Sequence, residues 1–179
     1  MKRLAAALAL IALAGCGYTL EGRGIAQDPS IKKIGVPLFK DATGKPGLDQ
    51  KVTERVIAEL LKRGHFDVVQ SATGVDALVE GSITTYRAAP VGFSAQGASG
   101  GGSNTRIEAS RYAVTLSVAV KYTKLGVTEP IWQTEQLSVR DESDVGDDPN
   151  AFFDREDQVI DRLTQSLAKT LVSSMLEAF

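Results

Sequence analysis

The only cysteine of the chain, Cys16, is the side chain with the clearest potential for chemistry. It follows Leu13, Ala14 and Gly15, directly after a short apolar stretch. The thiol can carry a diacylglyceryl group, and once the bond before it is cleaved the new N-terminal amino group can be acylated. These residue types in this order therefore predict a lipid-attachment site at Cys16.

Residues 1–15 have the composition of a cleavable secretory signal. Lys2 and Arg3 are basic, and residues 4–13 are uncharged and consist of Leu, Ala and Ile. This run is about half as long as the ~20 residues that a membrane-spanning helix needs. Together with Cys16 the segment resembles a bacterial lipobox. We expect residues 1–15 to be removed, and the alternative is an ordinary signal peptide with an incidental cysteine.

The remaining reactive side chains offer little for catalysis. His65 is the only histidine, so with Cys16 lipidated neither a Cys–His nucleophile pair nor a conventional zinc site can be built. The acidic run at residues 141–148 lacks the ligand spacing of an EF-hand, and Pro46 follows Gly44 and Lys45 where a P-loop would continue. We predict no enzyme, no metal and no cofactor apart from the covalent lipid. A lipid-anchored enzyme that uses His65 is the alternative.

Composition excludes further classes of protein. The chain has 179 residues, which suits one domain with its own core. Removal of residues 1–15 lowers Lys plus Arg from 20 to 18 against 22 acidic residues, so the mature net charge is near −4. Nucleic-acid binding normally requires a basic excess, which is missing. With its one cysteine used for lipid, the domain must be held by its apolar core and not by a disulfide.

Periodicity predicts the elements that carry these residues. An apolar stripe of Val52, Val56 and Leu60, widened by Ile57 and Leu61, predicts a helix over residues 49–63. A second long helix follows Asp148 and Pro149, with the stripe Ile160, Leu163, Leu167, Leu171 and Met175. The predicted strands lie at residues 31–39, 66–69, 77–87, 112–122 and 131–140.

The strand at residues 112–122 has the clearest pattern, because large apolar residues alternate with small or polar ones over eleven positions. In the strand at 77–87, the same reasoning places Val79, Ile83 and Thr85 on one side. In the strand at 131–140 it places Trp132 on the face opposite to Leu137 and Val139. Trp132 is therefore predicted to cover the outer face of the sheet or to meet a partner.

These elements indicate an α+β fold, a two-layer sandwich in which two amphipathic helices pack on one face of a mostly antiparallel sheet of about four or five strands. We divide the chain into the signal peptide at 1–15, the lipid anchor and tether at 16–30, and a single domain at 31–179. Residues 88–110, rich in Gly and Ser, are predicted to form a flexible loop within that domain, either functional or disordered.

The ordered set of motifs resembles the LptE family of lipopolysaccharide-assembly lipoproteins. The resemblance covers essentially the whole mature chain. It is carried by Cys16-Gly17-Tyr18-Thr19-Leu20 with Gly22, by Ile34-Gly35-Val36-Pro37-Leu38-Phe39, by Pro46-Gly47-Leu48 and the helix after it, and by Leu78-Val79-Glu80-Gly81-Ser82-Ile83.

The resemblance implies an outer-membrane lipoprotein, anchored on the periplasmic side, that forms a one-to-one complex with the large β-barrel LptD. Members plug the barrel, assist its assembly and help to deliver lipopolysaccharide to the outer leaflet. Gly17 after the lipidated Cys16 lacks the Asp that retains many lipoproteins in the inner membrane, which favours the outer membrane. The alternative is a scaffold of the general β-barrel assembly machinery or another periplasmic interaction protein.

Candidate contact residues come from their chemistry, and none is transferred from the family. Phosphates of lipopolysaccharide would favour arginine, and Arg106, Arg111 and Arg155 stand near strand and helix ends. The candidate contacts with the barrel are Phe93, in the predicted loop, and Trp132.

Overall fold

The computed structural model describes residues 28, 30–63, 66–96, 106–145 and 151–177. It contains the helices α1 (Leu48–Arg63) and α2 (Ala151–Glu177) and the strands β1 (Lys33–Gly35), β2 (Lys40–Asp41), β3 (Asp67–Val69), β4 (Ala77–Gln96), β5 (Arg106–Lys124) and β6 (Trp132–Asp144). The predicted signal peptide, the lipid site at Cys16 and His65 lie outside the described residues.

The strands form one mixed sheet in the order β3-β1-β4-β5-β6, with β2 also paired to β4. The pairs that involve β1 and β2 are parallel, whereas β4, β5 and β6 form an antiparallel meander. The prediction of a mixed α+β fold with two helices is confirmed. The predicted count of four or five strands is wrong because β2 has only two residues, too few to show an alternation in the sequence.

One buried cluster joins the helices and the sheet. The stripes of both helices belong to it, and so does the apolar side of β5, formed by Val114, Leu116, Val118, Val120 and Tyr122. The predicted alternation of β5 is therefore correct. In α1, Val52, Val56 and Leu60 are buried as predicted, but Leu61 is 53% exposed because the helix turns it away from the stripe.

The prediction of a loop at residues 88–110 is wrong for residues 88–96 and 106–110, which continue β4 and β5 as one long hairpin. The Gly- and Ser-rich composition predicts a loop because these residues cannot build a core. A hairpin ribbon needs only the backbone of its partner strand for hydrogen bonds. The pairing register between β4 and β5 shifts on either side of Gly92, and antiparallel pairing continues from Phe93.

Candidate functional site

The β4–β5 hairpin extends past the rest of the sheet. Its strands pair from Ala77–Lys124 to Gln96–Arg106, whereas β6 follows β5 only as far as the pair Arg111–Asp144. Beyond that pair the described residues place no third strand beside the hairpin. We call residues 91–96 and 106–110 the distal hairpin. Its five residues on β5 span about 17 Å at ~3.4 Å per residue.

Apolar side chains on the distal hairpin are exposed. The exposed fraction is 63% for Phe93 and 70% for Ile107, and Val91 is also exposed. Phe93 lies directly opposite Ala109, and Ile107 stands two residues from Ala109 on the same strand. Phe93, Ile107 and Ala109 therefore share one face of the ribbon. This face has no covering element among the described residues and is the strongest candidate for a contact with a partner.

The base of the hairpin is fixed to the first turn of α2. The ring of Tyr112 stacks on Phe152, with 4.7 Å between the centroids and 21° between the planes. Phe152 is 1% exposed, whereas Phe153, which meets Phe152 edge-on, is 66% exposed. The stack holds the hairpin at the point where it leaves the sheet.

A second attachment joins β4 to α2 through a carboxylate. The hydroxyl of Tyr86 donates a hydrogen bond of 2.6 Å to Glu156 Oε1. The ammonium of Lys45, in the β2–α1 loop, lies 2.7 Å from Glu156 Oε2 and 5.5 Å from the centre of the Tyr86 ring. Glu156 thus links three separate segments of the chain.

The contacts among Tyr86, Glu156 and Lys45 determine the ionisation of Tyr86 and Glu156. Burial, followed by the hydrogen bond to Glu156, raises the pKa of the Tyr86 hydroxyl, which therefore remains a donor at neutral pH. Burial alone would raise the pKa of Glu156, but hydrogen bonds from Lys45 and Tyr86 outweigh it and hold that pKa below its usual value of 4.5. The carboxylate is therefore charged and accepts both donors.

Replacing Tyr86 with Phe should lower the free energy of unfolding by about 1.5–3 kcal/mol at pH 7, because one hydrogen bond to a carboxylate is lost. Urea unfolding measures the change.

The effect of this substitution should depend on pH. A carboxyl group whose pKa is lowered in the folded state stabilises the protein above its unfolded pKa, and this contribution is lost as the pH falls through the folded pKa. The difference between wild type and Tyr86→Phe should therefore shrink below pH 4.5.

The matched control for this prediction is Tyr122→Phe. Tyr122 is also buried, and within the described part of the chain its hydroxyl makes no hydrogen bond. We expect a much smaller loss of stability, with little change between pH 7 and acid. Equal losses in the two variants would show that the Tyr86–Glu156 hydrogen bond contributes nothing specific.

Two of the three arginines predicted to contact phosphate come together at the base of the hairpin. Arg111 Nε lies 2.6 Å from Asp144 Oδ1, and its Nη1 lies 3.7 Å from Glu142 Oε2. Arg155 Nη1 donates to the Asp144 carbonyl at 3.4 Å. The hydrogen bond from Arg111 to Asp144 raises the pKa of the guanidinium further. Both arginines are exposed, so an anionic ligand would have to compete with these acidic partners.

Arg106 lies elsewhere. Its backbone pairs with Gln96 at the far end of the hairpin. Arg106 precedes Arg111 by five residues along β5, which separates the two residues by about 17 Å. The structure therefore does not bring the three predicted arginines into one site.

The prediction that Trp132 lies on the outer face is wrong. Trp132 stands opposite Tyr122, and Leu137 stands opposite Val118. Between these two pairs, β5 has one residue, Ala119, whereas β6 has two. This β-bulge in β6 shifts the alternation of its side chains between the two faces of the sheet by one residue. Trp132 therefore shares the face of Leu137 and packs, half-buried, against the core.

The sequence also failed to indicate Tyr86 as a linking residue. Its position follows from a register shift between Ile83 and Thr85. The shift places Tyr86 opposite the buried Leu116 and moves Thr85 opposite Ser117, on the other face. A simple alternation from Val79 therefore assigns Thr85 to the wrong side. No local pattern indicates the bond to Glu156, which lies 70 residues away.

Among the residues described here, no three His, Cys, Asp or Glu side chains form a group that could hold a metal ion. Neither described helix combines the length and the apolar character required to cross a bilayer.

Comparison with solved structures relates the fold to known proteins. A protein from Xanthomonas campestris matches with a TM-score of 0.57 at 12% identity, covering 84% of this chain and 87% of the other. An uncharacterized lipoprotein B from Nitrosomonas europaea matches with a TM-score of 0.53 at 10% identity, covering 80% and 83%. At such identities the likeness concerns the fold alone. None of the curated proteins matches the sequence significantly.

The sequence itself carries stronger information. Residues 31–175 match the family model LptE, described as lipopolysaccharide-assembly. This match includes both helices except the last residues of α2, and every strand of the sheet. The chain therefore belongs to the LptE family of lipopolysaccharide-assembly proteins.

Proposed function

We propose that this protein is a non-enzymatic outer-membrane lipoprotein that plugs an LptD-like β-barrel in a one-to-one complex, helps the barrel to assemble and assists insertion of lipopolysaccharide into the outer leaflet. The observation that carries the proposal is the long hairpin, whose distal part presents the exposed Phe93 and Ile107 on one face. Membership of the LptE family supports the link to lipopolysaccharide assembly.

The length of the hairpin fits a position inside a barrel. β4 has 20 residues and β5 has 19, which amounts to about 60 Å at ~3.3 Å per residue. The hydrocarbon core of a bilayer is about 30 Å thick, or about 40–45 Å with the headgroup regions. A hairpin parallel to the barrel axis would therefore extend from the periplasmic side to the level of the outer leaflet.

The polarity of the sheet also fits a water-filled lumen. Both helices share the buried cluster with the apolar side of β5, which supports a two-layer arrangement with both helices on that side. The opposite side of β5 carries Ala113, Thr115, Ser117, Ala119 and Lys121. Small and polar residues on this side suit the polar interior of a large barrel.

Direct contact with lipopolysaccharide would use the arginines along the hairpin. Arg111 and Arg155 lie at its base beside Asp144, and Arg106 is the last paired residue of β5 at its far end. Guanidinium groups bind phosphate in a bidentate manner. In this proposal the three arginines contact different phosphates or act at different stages, since about 17 Å separates Arg106 from Arg111.

Attachment to the membrane would be by lipid at Cys16, with the domain on the periplasmic side of the outer membrane. Gly17 at the following position supports delivery to the outer membrane, because it replaces the Asp that retains many lipoproteins in the inner membrane. A protein that is anchored by acyl chains and bound inside a barrel through its polar surface requires no membrane-spanning helix of its own.

The proposal is tested by isolating the lipidated protein from outer membranes in mild detergent and identifying its partners by mass spectrometry. We expect one large β-barrel protein in equimolar amount, in a complex that survives size-exclusion chromatography. A mixture of several barrel-assembly proteins would support the alternative of a general assembly scaffold, and recovery of a lone monomer would contradict both.

A further inference from the structure

The turn between β5 and β6 exposes two aliphatic side chains at the end of the sheet opposite to the distal hairpin. Leu125 is 50% exposed and Val127 is 49% exposed. Gly126, between them, has a φ of +86°, and Val127 N–H donates to the Lys124 carbonyl at 3.2 Å. The tight turn therefore presents both side chains at its tip.

The chain enters the domain beside this turn. Lys124 Nζ, at the last residue of β5, bonds to Asp28 Oδ2 at 2.5 Å and to Ser30 Oγ at 2.7 Å. The proposed lipid site, Cys16, precedes Asp28 by twelve residues, and these can span at most about 40 Å. The far end of the hairpin is about 60 Å from Lys124 along β5. An anchored chain can therefore bring this turn to the bilayer surface, whereas Cys16 itself cannot reach the far end of the hairpin.

The turn is held rigidly relative to this entry point. Asp76 Oδ2 accepts hydrogen bonds from the N–H groups of Lys32 and Lys33, at 2.9 and 2.8 Å. The carbonyl of Asp76 accepts the N–H of Leu125 at 2.9 Å. The two backbone donors lower the pKa of the Asp76 carboxyl, which keeps it ionised as an acceptor. One residue thus fixes the start of β1 and the turn in a constant arrangement.

We propose that Leu125 and Val127 insert into the interfacial region of the bilayer that holds the lipid anchor, and so orient the domain on the membrane. The inference rests on the proposed lipid attachment at Cys16. Exposed aliphatic groups beside an anchoring segment suit the boundary between headgroups and acyl chains. The contact would place the turn at the level of the leaflet in which the anchor lies, with the hairpin extending from there toward the outer leaflet.

Charge around the turn favours an apolar contact over an electrostatic one. Lys124 is paired with Asp28, Lys32 is exposed, and the exposed Glu129 follows the turn with the opposite sign. The attraction to anionic headgroups is therefore small. Insertion should depend little on the fraction of anionic lipid, unlike that of a basic surface.

The test uses the full-length, lipidated protein in phosphatidylethanolamine–phosphatidylglycerol vesicles. Because Cys16 is the only cysteine and its thiol is consumed by lipid, Val127→Cys supplies a single site for an environment-sensitive fluorophore. Leu125→Cys repeats the measurement at the second position. The matched control is Leu61→Cys, since Leu61 on α1 is similarly exposed at 53%. Flotation with the vesicles reports the anchoring independently of the fluorophore.

On vesicles, we expect a severalfold rise in fluorescence and a shift to shorter wavelength at residues 127 and 125. The change at residue 61 should be much smaller. The result should stay the same when the fraction of phosphatidylglycerol in the vesicles is varied. Flotation without a change at residues 125 and 127 would overturn the contact and leave the lipid attachment intact. An equal change at residue 61 would also overturn it. Failure to float would overturn both the contact and the proposed lipid attachment, while the barrel partner is tested separately by co-isolation.

Discussion

Replacing Phe152 with Ala is expected to lower the free energy of unfolding by about 3–5 kcal/mol, the usual cost of removing a buried phenyl group from a core. Phe152 is 1% exposed and stacks on Tyr112 at 4.7 Å. The variant would lose both the packing of α2 against the sheet and the support for the hairpin base. Urea or thermal unfolding of the purified domain measures the loss.

The neighbouring Phe153 provides the control for this prediction. It is the same residue type in the same turn of α2, but it is 66% exposed. Phe153→Ala should therefore change the stability by less than about 1 kcal/mol. If the two variants lost similar stability, the stack of Phe152 on Tyr112 would not be what holds α2 to the hairpin.

Replacing both Phe93 and Ile107 with Ser should reduce the yield of the complex with the barrel by at least about tenfold, because two apolar side chains that would be buried at the interface are lost. The stability of the isolated protein should hardly change, since both side chains are exposed in it. Quantitative mass spectrometry of the co-isolated barrel, normalised to the amount of the lipoprotein, measures the yield.

A matched double variant distinguishes a specific contact from a general loss of surface hydrophobicity. Leu38 and Leu61 are also large, exposed apolar residues, but they lie outside the distal hairpin. Changing both to Ser should leave the yield of the complex close to that of the wild type. An unchanged yield in the hairpin variant, or an equal fall in both variants, would exclude the distal hairpin as the main contact.

The sequence allowed the regular parts of the fold to be predicted. In β5 the uninterrupted alternation from Val114 to Tyr122 identified the buried face correctly, and the stripe from Ile160 to Met175 identified the buried side of α2. In both elements the regular period of the strand or helix is unbroken, so the position of a residue in the sequence determines which face of the element its side chain occupies.

The errors arose where that period is broken or where the partner is distant in sequence. A bulge opposite Ala119 places Trp132 on the core side, and a shift after Ile83 does the same for Tyr86. A bulge leaves no reliable signal in a single sequence, because any residue type can occupy it. The bond between Tyr86 and Glu156 joins residues that only the folded chain brings together.

The extension of the hairpin does not follow from amino-acid composition. The Gly- and Ser-rich composition of residues 88–110 predicts that this segment builds no core of its own, and the described residues 88–94 and 107–110 contribute none to the buried cluster. This composition does not show that residues 88–96 and 106–110 are strands, because backbone pairing does not depend on burial of the side chains. The exposed face with Phe93 and Ile107 follows only from the register of that pairing.

The most direct measurement of the central claim is site-specific photo-crosslinking in living cells from residue 93, with residue 61 as the control position. A photoreactive residue at position 93 should give one major adduct with a large outer-membrane β-barrel, and position 61 should give little of it. No barrel adduct from position 93, in a protein that is anchored and folded, would contradict the proposal that the hairpin lies inside a barrel.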